Sequence, residues 1–248
     1  MIKDIPASSP EGKAWTHIQL LKLATKYQLS KILDVGCGAG TYYNYFNPIL
    51  PDATWTGIEI WEPYVNDYKL TSMYNNLIIQ DAGTIDYQSI GAFDVVFCGD
   101  VLEHMGEASA IKIVHELCKI SKFVFISIPI VHYPCTEYEF NPHLRHVKDD
   151  WSDSQIVSNF GQYIKRKQLG DVVGTYLLSN NDIIETDDLW LLINGYRIEQ
   201  NLEMFIESSC QYLKNGGAHY NDVLCAMRYM YTRPEVSDRH RTMIAEIL

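Results

Sequence analysis

From Lys31 to Gly40 the chain reads Lys-Ile-Leu-Asp-Val-Gly-Cys-Gly-Ala-Gly. Ile32, Leu33 and Val35 make the short apolar run that a buried strand needs. The run stops at Gly36, Gly38 and Gly40, and a helical stretch follows. Glycine has no Cβ, so a loop of this kind turns tightly and brings backbone close to a ligand. Strand, glycine loop and helix together predict a doubly wound α/β sheet with a nucleotide-like site at its carboxyl edge. The dinucleotide fingerprint G-x-G-x-x-G fits poorly: counted from Gly36 it needs glycine where Thr41 stands, and from Gly38 where Tyr43 stands. A P-loop fails for want of Gly-Lys-Ser/Thr. A turn that only packs helix on strand is the plain alternative.

The same alternation continues along the chain. A helix is expected from Ser8-Ser9-Pro10 to about Tyr27, with Trp15, Ile18 and Leu21 on one face. Thr41–Phe46 reads as a short aromatic helix, residues 53–60 as a strand ending on Glu59 and Ile60, and 63 to about 73 as a helix. Strands follow over 76–81, 93–100 and 122–129, with an amphipathic helix over 107–120 between the last two. A helix over 151–160 and an antiparallel pair over 162–169 and 171–178 complete the pattern. The expectation is a Rossmann-like, doubly wound, mostly parallel sheet over residues 1–179, closed by an antiparallel strand pair. Residues 180–248 read as a C-terminal helical extension, with helices from Thr186 to about Gly216, from about Tyr220 to Tyr231 and from about Ser237 to Ile247. Its aromatic content suits a homodimer interface or a lid as well as it suits ordinary packing.

Charge and cysteine usage narrow the function class. With 20 Lys+Arg against 31 Asp+Glu the formal charge is −11, which argues against a nucleic-acid partner. The local run Lys165-Arg-Lys167 reads as a solvated face. No leader-like segment opens the chain and no apolar run is long enough to span a bilayer, so a cytoplasmic protein without a membrane partner is expected. The six cysteines are scattered without a C-x-x-C pair, as in reduced proteins rather than disulfide or zinc frameworks.

Acids stand at each following strand end. Glu59 lies at the interval where a carboxylate reaches a ribose diol, Asp81-Ala82 ends the third strand, and the fourth ends Cys98-Gly-Asp-Val-Leu-Glu-His104. With LDVGCGAG (33–40), GIEI (57–60), IIQDAG (78–83), FDVVFCGDVLEHM (93–105) and FVFISIP (123–129), the chain resembles the class I S-adenosylmethionine-dependent methyltransferases that act on small molecules. The resemblance covers about residues 30–179, in the family's order. It implies that Asp34, Gly36, Gly38 and Gly40 line the methionine part of S-adenosyl-L-methionine, Glu59 and Ile60 the ribose, and Asp81 with Ala82 the adenine. Gly99 and Asp100 would lie beside the amine and the reacting methyl. Carboxylates suit a cofactor carrying a cationic amine and a cationic sulfonium.

On the acceptor side, His104 and His146 are the candidate general bases, and His132, Tyr133 and His143 are candidate acceptor contacts. The histidines favour O-methylation of a sugar or other polar metabolite. An N-methyltransferase and a non-catalytic binding protein of the same fold are the alternatives. No D/N-P-P-Y/F segment follows the fourth strand, which lowers the nucleic-acid reading further. His132, His143 and His146 with Glu137 or Glu139 match no ligand spacing, so no metal is expected.

Overall fold

In the computed structural model, seven strands form one sheet in the order β3-β2-β1-β4-β5-β7-β6. The structure describes residues 12–24, 26–135, 141–183, 206, 210 and 237–246. The strands are β1 (Lys31–Val35), β2 (Thr54–Glu59), β3 (Asn76–Ile79), β4 (Phe93–Gly99), β5 (Ser121–Pro129), β6 (Ile164–Leu169) and β7 (Val173–Leu178). β1 to β5 are mutually parallel, and β7 pairs antiparallel with both β5 and β6. The Rossmann-like sheet and its closing antiparallel pair are therefore as the sequence implies. The chain runs outward from β1 to β3, then returns to start again at β4 beside β1. That reversal makes the crevice above β1 and β4 the place where such a sheet binds ligands.

The described helices are α1 (Lys13–Ala24), α2 (Thr41–Phe46), α3 (Pro63–Asp67), α4 (Glu107–Ile120), α5 (Asp153–Phe160) and α6 (Asp238–Ala245). The helix expected over 63–73 is shorter: α3 stops at Asp67, Lys69 takes a left-handed conformation (φ 55°), and a 3₁₀ turn covers Leu70–Ser72. The tail helices read before Ser237 lie outside the described residues. The last one is present, with the Ser237 hydroxyl accepting from the His240 N–H at the start of α6.

Side chains alternate across the strands, so each face carries its own core. Ile32, Trp55, Val95, Phe97 and Phe125 belong to one cluster with Trp15, Leu20 and Phe46. Leu33, Ile58, Val96, Cys98 and Ile126 belong to the other, with Val114 and Leu117 of α4 and Phe160 of α5. Strands buried on both faces are mostly apolar, which is why β4 and β5 show no polar alternation and carry only Asp94 and Ser127 as buried polar residues. Phe97 stacks on Tyr42, Phe46, Trp55 and Phe125 with ring centroids 5.0–5.9 Å apart. Trp55 is thus a core residue and not a stacking surface for a ligand. α1 departs from the one-faced reading: Lys13, Thr16, His17 and Gln19 are buried along with Trp15, Ile18 and Leu21. Ile206, Cys210 and Ile244 belong to the same cluster as Trp15, so C-terminal residues join the core on this face of the sheet.

The basic run on β6 finds partners within the chain. Arg166 donates to Gln19 Oε1 (2.6 Å), Lys167 to Asp153 (2.7 Å), and Lys165 reaches Asp182 (3.5 Å). Among the described residues no helix is long and apolar enough to cross a membrane.

Candidate active site

The loop after β1 is joined to the end of β2 by Glu59. Its two carboxylate oxygens accept from the Gly38 N–H (2.8 Å) and the Trp61 N–H (2.7 Å), while the Cys37 N–H donates to the Ile58 carbonyl (2.9 Å). Burial raises the Glu59 pKa, against the lowering effect of these N–H groups. Each oxygen keeps a lone pair beyond the one accepting a backbone N–H. Such a carboxylate can take two hydroxyl donors from a ribose. Ile60 beside it is partly exposed.

Asp34 lies under the same loop, 1% exposed. The Tyr74 hydroxyl donates to its Oδ2 (2.6 Å), while its Oδ1 is buried without a hydrogen-bond partner. Gly57, the register partner of Asp34 on β2, lets the Tyr74 ring pass: a Cβ there would come within 3.0 Å of it. Burial pushes the Asp34 carboxyl up to about 7, with the Tyr74 bond and the Lys13 charge opposing it. An unpartnered buried carboxylate oxygen fits a cationic ligand. The sign of its pH dependence follows. Below about 7 Asp34 holds its proton and offers a cation no charge; above, it is a carboxylate. Affinity for S-adenosylhomocysteine, which carries the amine, is expected to rise about eightfold between about pH 6 and 7.5. In the Asp34→Asn variant that rise should vanish. Calorimetric titration across this range checks it, and a flat wild-type profile would remove Asp34 from the amine site.

Asp100 follows β4 in a left-handed conformation (φ 57°), held by its N–H donating to the Ser127 carbonyl (2.8 Å). Lys13 of α1, which the sequence did not single out, lies 3.5 Å from Asp100 Oδ2 and donates to the Tyr42 hydroxyl (2.8 Å). Burial works against the Lys13 charge, but Tyr42 and Asp100 hold its pKa above the ordinary value. Gly99 makes room for this arrangement, since a Cβ there would lie 1.8 Å from the Tyr42 hydroxyl. Asp81 caps the turn after β3, its Oδ1 accepting from the Gly83 N–H (2.8 Å). Ala82 is buried, with its carbonyl accepting from the Tyr87 hydroxyl (3.0 Å). Asp34, Gly38, Glu59 and Asp100 therefore all stand at the carboxyl ends of β1, β2 and β4, with Asp81 after β3. This acidic edge suits a ligand with a cationic amine, a cationic sulfonium and a ribose diol.

The histidines divide into three places. His104, on the turn Leu102–His104, and His146, on the strap after β5, meet edge to face with ring centroids 4.9 Å apart. The His104 Nδ1–H donates to the Arg145 carbonyl (3.1 Å), with the Asp100 carbonyl a weaker neighbour. The His146 Nδ1–H donates to the Tyr133 carbonyl (2.6 Å), and the Tyr133 ring lies 5.9 Å from it. Burial, with His146 adding to it, lowers the His104 pKa. His143 is elsewhere, against Trp61 (5.8 Å) and within electrostatic reach of Glu59. His132 is exposed, with Asp149 at 3.8 Å. Sequence reasoning passed over Glu103, next to His104. It is 2% exposed, and burial together with Asp100 raises its pKa. The Glu-His pair in the D-V-L-E-H segment was the available signal. Glu137 and Glu139 lie outside the described residues.

Residues 33–122 match the family model described as a methyltransferase domain. No curated protein matches the sequence. Among solved structures, the N-terminal domain of EvdMO1, crystallised with SAH, aligns at TM-score 0.52 and 14% identity, over 71% of this chain and 82% of that one. An S-adenosylmethionine-dependent methyltransferase from Clostridium acetobutylicum ATCC 824 aligns at TM-score 0.54 and 12% identity, over 69% and 93%. The plantazolicin methyltransferase BamL, in complex with a triazolic desmethylPZN analog and SAH, aligns at 0.53 and 13%, over 70% and 86%. At these identities the structural likeness is one of fold. Together with the strand order, the family match marks residues 33–122 as similar to a methyltransferase domain, set in a Rossmann-like sheet.

Proposed function

We propose that the chain transfers the methyl group of S-adenosylmethionine to a hydroxyl of a small molecule, a sugar or other polar metabolite with one apolar face. The observation that carries this reading is the pair His104 and His146. Each ring has its Nδ1–H donated to a backbone carbonyl, which leaves Nε2 with a lone pair in the neutral form. A sulfonium already activates the methyl, so the protein's task is to align the acceptor and remove its proton. The lowered pKa keeps His104 unprotonated at neutral pH and ready to accept that proton. The acceptor oxygen forms a bond to the methyl carbon, the carbon–sulfur bond breaks, its electron pair returns to sulfur, and the hydroxyl proton passes to imidazole. Tyr133 and Val147 are exposed beside His146 and offer an apolar wall for the acceptor.

EvdMO1 and BamL hold SAH, and the Clostridium acetobutylicum protein is an S-adenosylmethionine-dependent methyltransferase, which supports the same donor here. The test is incubation with S-adenosylmethionine and a panel of sugar and phenolic hydroxyl acceptors, followed by mass analysis of the products. A gain of one methyl on oxygen is expected. His146→Gln should lower kcat by roughly 100-fold or more with unchanged affinity for S-adenosylhomocysteine. Methylation on nitrogen alone, or wild-type kcat in both His146→Gln and His104→Asn, would refute the reading.

A further inference from the structure

We infer that Glu103, His104 and His146 form a binding site for one divalent first-row transition ion on the acceptor side of the crevice. One carboxylate oxygen of Glu103 and one ring nitrogen of each histidine lie within 4.8 Å of one another. Two imidazoles and a carboxylate are the ligand set of an open, catalytic type of metal site, in which remaining positions stay available to water or substrate.

Three features prepare these residues for a cation. Glu103 is 2% exposed and its Oε2 has no hydrogen-bond partner. A buried carboxylate oxygen left without a donor is costly, and a cation removes that cost. Each histidine donates Nδ1–H to a main-chain carbonyl, of Arg145 and of Tyr133. That arrangement is how metal-binding histidines are commonly oriented, with the remaining nitrogen presented as the ligand. The third feature is a rigid link between the two ligand-bearing segments. The Val147 and Lys148 N–H groups donate to the Glu103 carbonyl (2.8 and 3.0 Å), and the Tyr133 N–H to the Asp149 carbonyl (2.8 Å). Two imidazole donors favour Zn²⁺, Co²⁺ or Ni²⁺ over Mg²⁺, which prefers oxygen ligands.

The inference rests on the acceptor side assigned above and adds to it. An acceptor hydroxyl bound to the ion would be more acidic, lose its proton to solvent and attack the methyl carbon as alkoxide, while the carbon–sulfur electron pair returns to sulfur. The two roles belong to two states of the site: without the ion the histidine pair takes the acceptor proton as described above, and with the ion bound the same pair would serve as its ligands.

Chelator-treated protein titrated with Co²⁺ provides the test, read by visible absorption and calorimetry with no acceptor present. One equivalent is expected to bind with the visible bands of a site of low coordination number. Glu103→Gln and His146→Gln should each weaken binding by at least about tenfold, with affinity for S-adenosylhomocysteine unchanged. His146 lies on the strap outside the sheet, so its variant stays informative if Glu103→Gln fails to fold. No binding at millimolar Co²⁺ by protein that still binds S-adenosylhomocysteine overturns the site, as does undiminished binding by His146→Gln. Cobalt bound with the expected ligand dependence supports it whether or not a hydroxyl acceptor turns over, so failure of the methyl-transfer reading is seen separately.

Discussion

Replacing Glu59 by leucine is expected to weaken S-adenosylhomocysteine binding by at least about 100-fold, close to 3 kcal/mol. Two effects act together. A carboxylate accepting from hydroxyls contributes roughly 1.5–3 kcal/mol per charged hydrogen bond, and with Glu59 proposed as the ribose acceptor both hydroxyls would lose theirs. Glu59 also shapes the loop itself, through the Gly38 and Trp61 N–H groups at 2.8 and 2.7 Å. Leucine leaves both donors without their partner. Glu59→Gln has one amide oxygen to replace two acceptors, so it keeps one contact and should lose about tenfold. The measurement is calorimetric titration on protein whose circular dichroism is unchanged. A folded leucine variant with wild-type affinity would show that Glu59 organises the loop without touching the ligand.

Gly36→Ala and Gly38→Ala should fail in different ways, although both glycines have positive φ (67° and 52°). At Gly36 the new Cβ would lie 2.4 Å from Val101 Cγ2, within the segment that carries Asp100. Left-handed backbone costs about 1–2 kcal/mol in a non-glycine residue, and forcing atoms into a packed core adds about 1–3 kcal/mol. The expected loss is about 2–5 kcal/mol, or a fall of roughly 4–20 °C in Tm. At Gly38 a Cβ meets nothing closer than the Gly36 carbonyl at 3.9 Å. Stability should fall there by only about 1–2 kcal/mol, the conformational cost alone. The methyl would instead stand on the loop whose N–H binds Glu59, so ligand affinity should suffer more than stability. Thermal melting and titration of both variants give the comparison. Wild-type affinity in Gly38→Ala would mean that the open space at Gly38 is not where the ligand lies.

The residues legible in the sequence were those whose role is set by position along a strand. Asp34, Glu59, Asp81 and Asp100 each stand at or just past the end of an apolar run, and a parallel sheet brings all such ends to one edge. The glycine spacing likewise signals a turn whatever lies around it. Helix lengths were less legible: α3 ends at Asp67 because Lys69 turns left-handed, and nothing in its composition announces that.

Side-chain partners across the fold were not legible at all. Lys13 is 87 residues from Asp100 and meets it because α1 shares a core cluster with Val95 and Phe97 of β4. Tyr42 reaches Lys13 only because Gly99 leaves space beneath its ring, and Tyr74 reaches Asp34 past Gly57 in the same way. The histidines make the contrast sharpest. By sequence His132, His143 and His146 are neighbours and His104 is apart. In the fold His146 joins His104 and Glu103, His143 turns to Trp61, and His132 stays exposed. The sequence by itself determined the sheet, the crevice and the acids along its edge, because strand periodicity and glycine turns are local properties of the chain. Only the tertiary structure decided which histidines share a site and which carboxylate is buried between them, because those contacts depend on how a strap after β5 is hydrogen-bonded to the turn after β4.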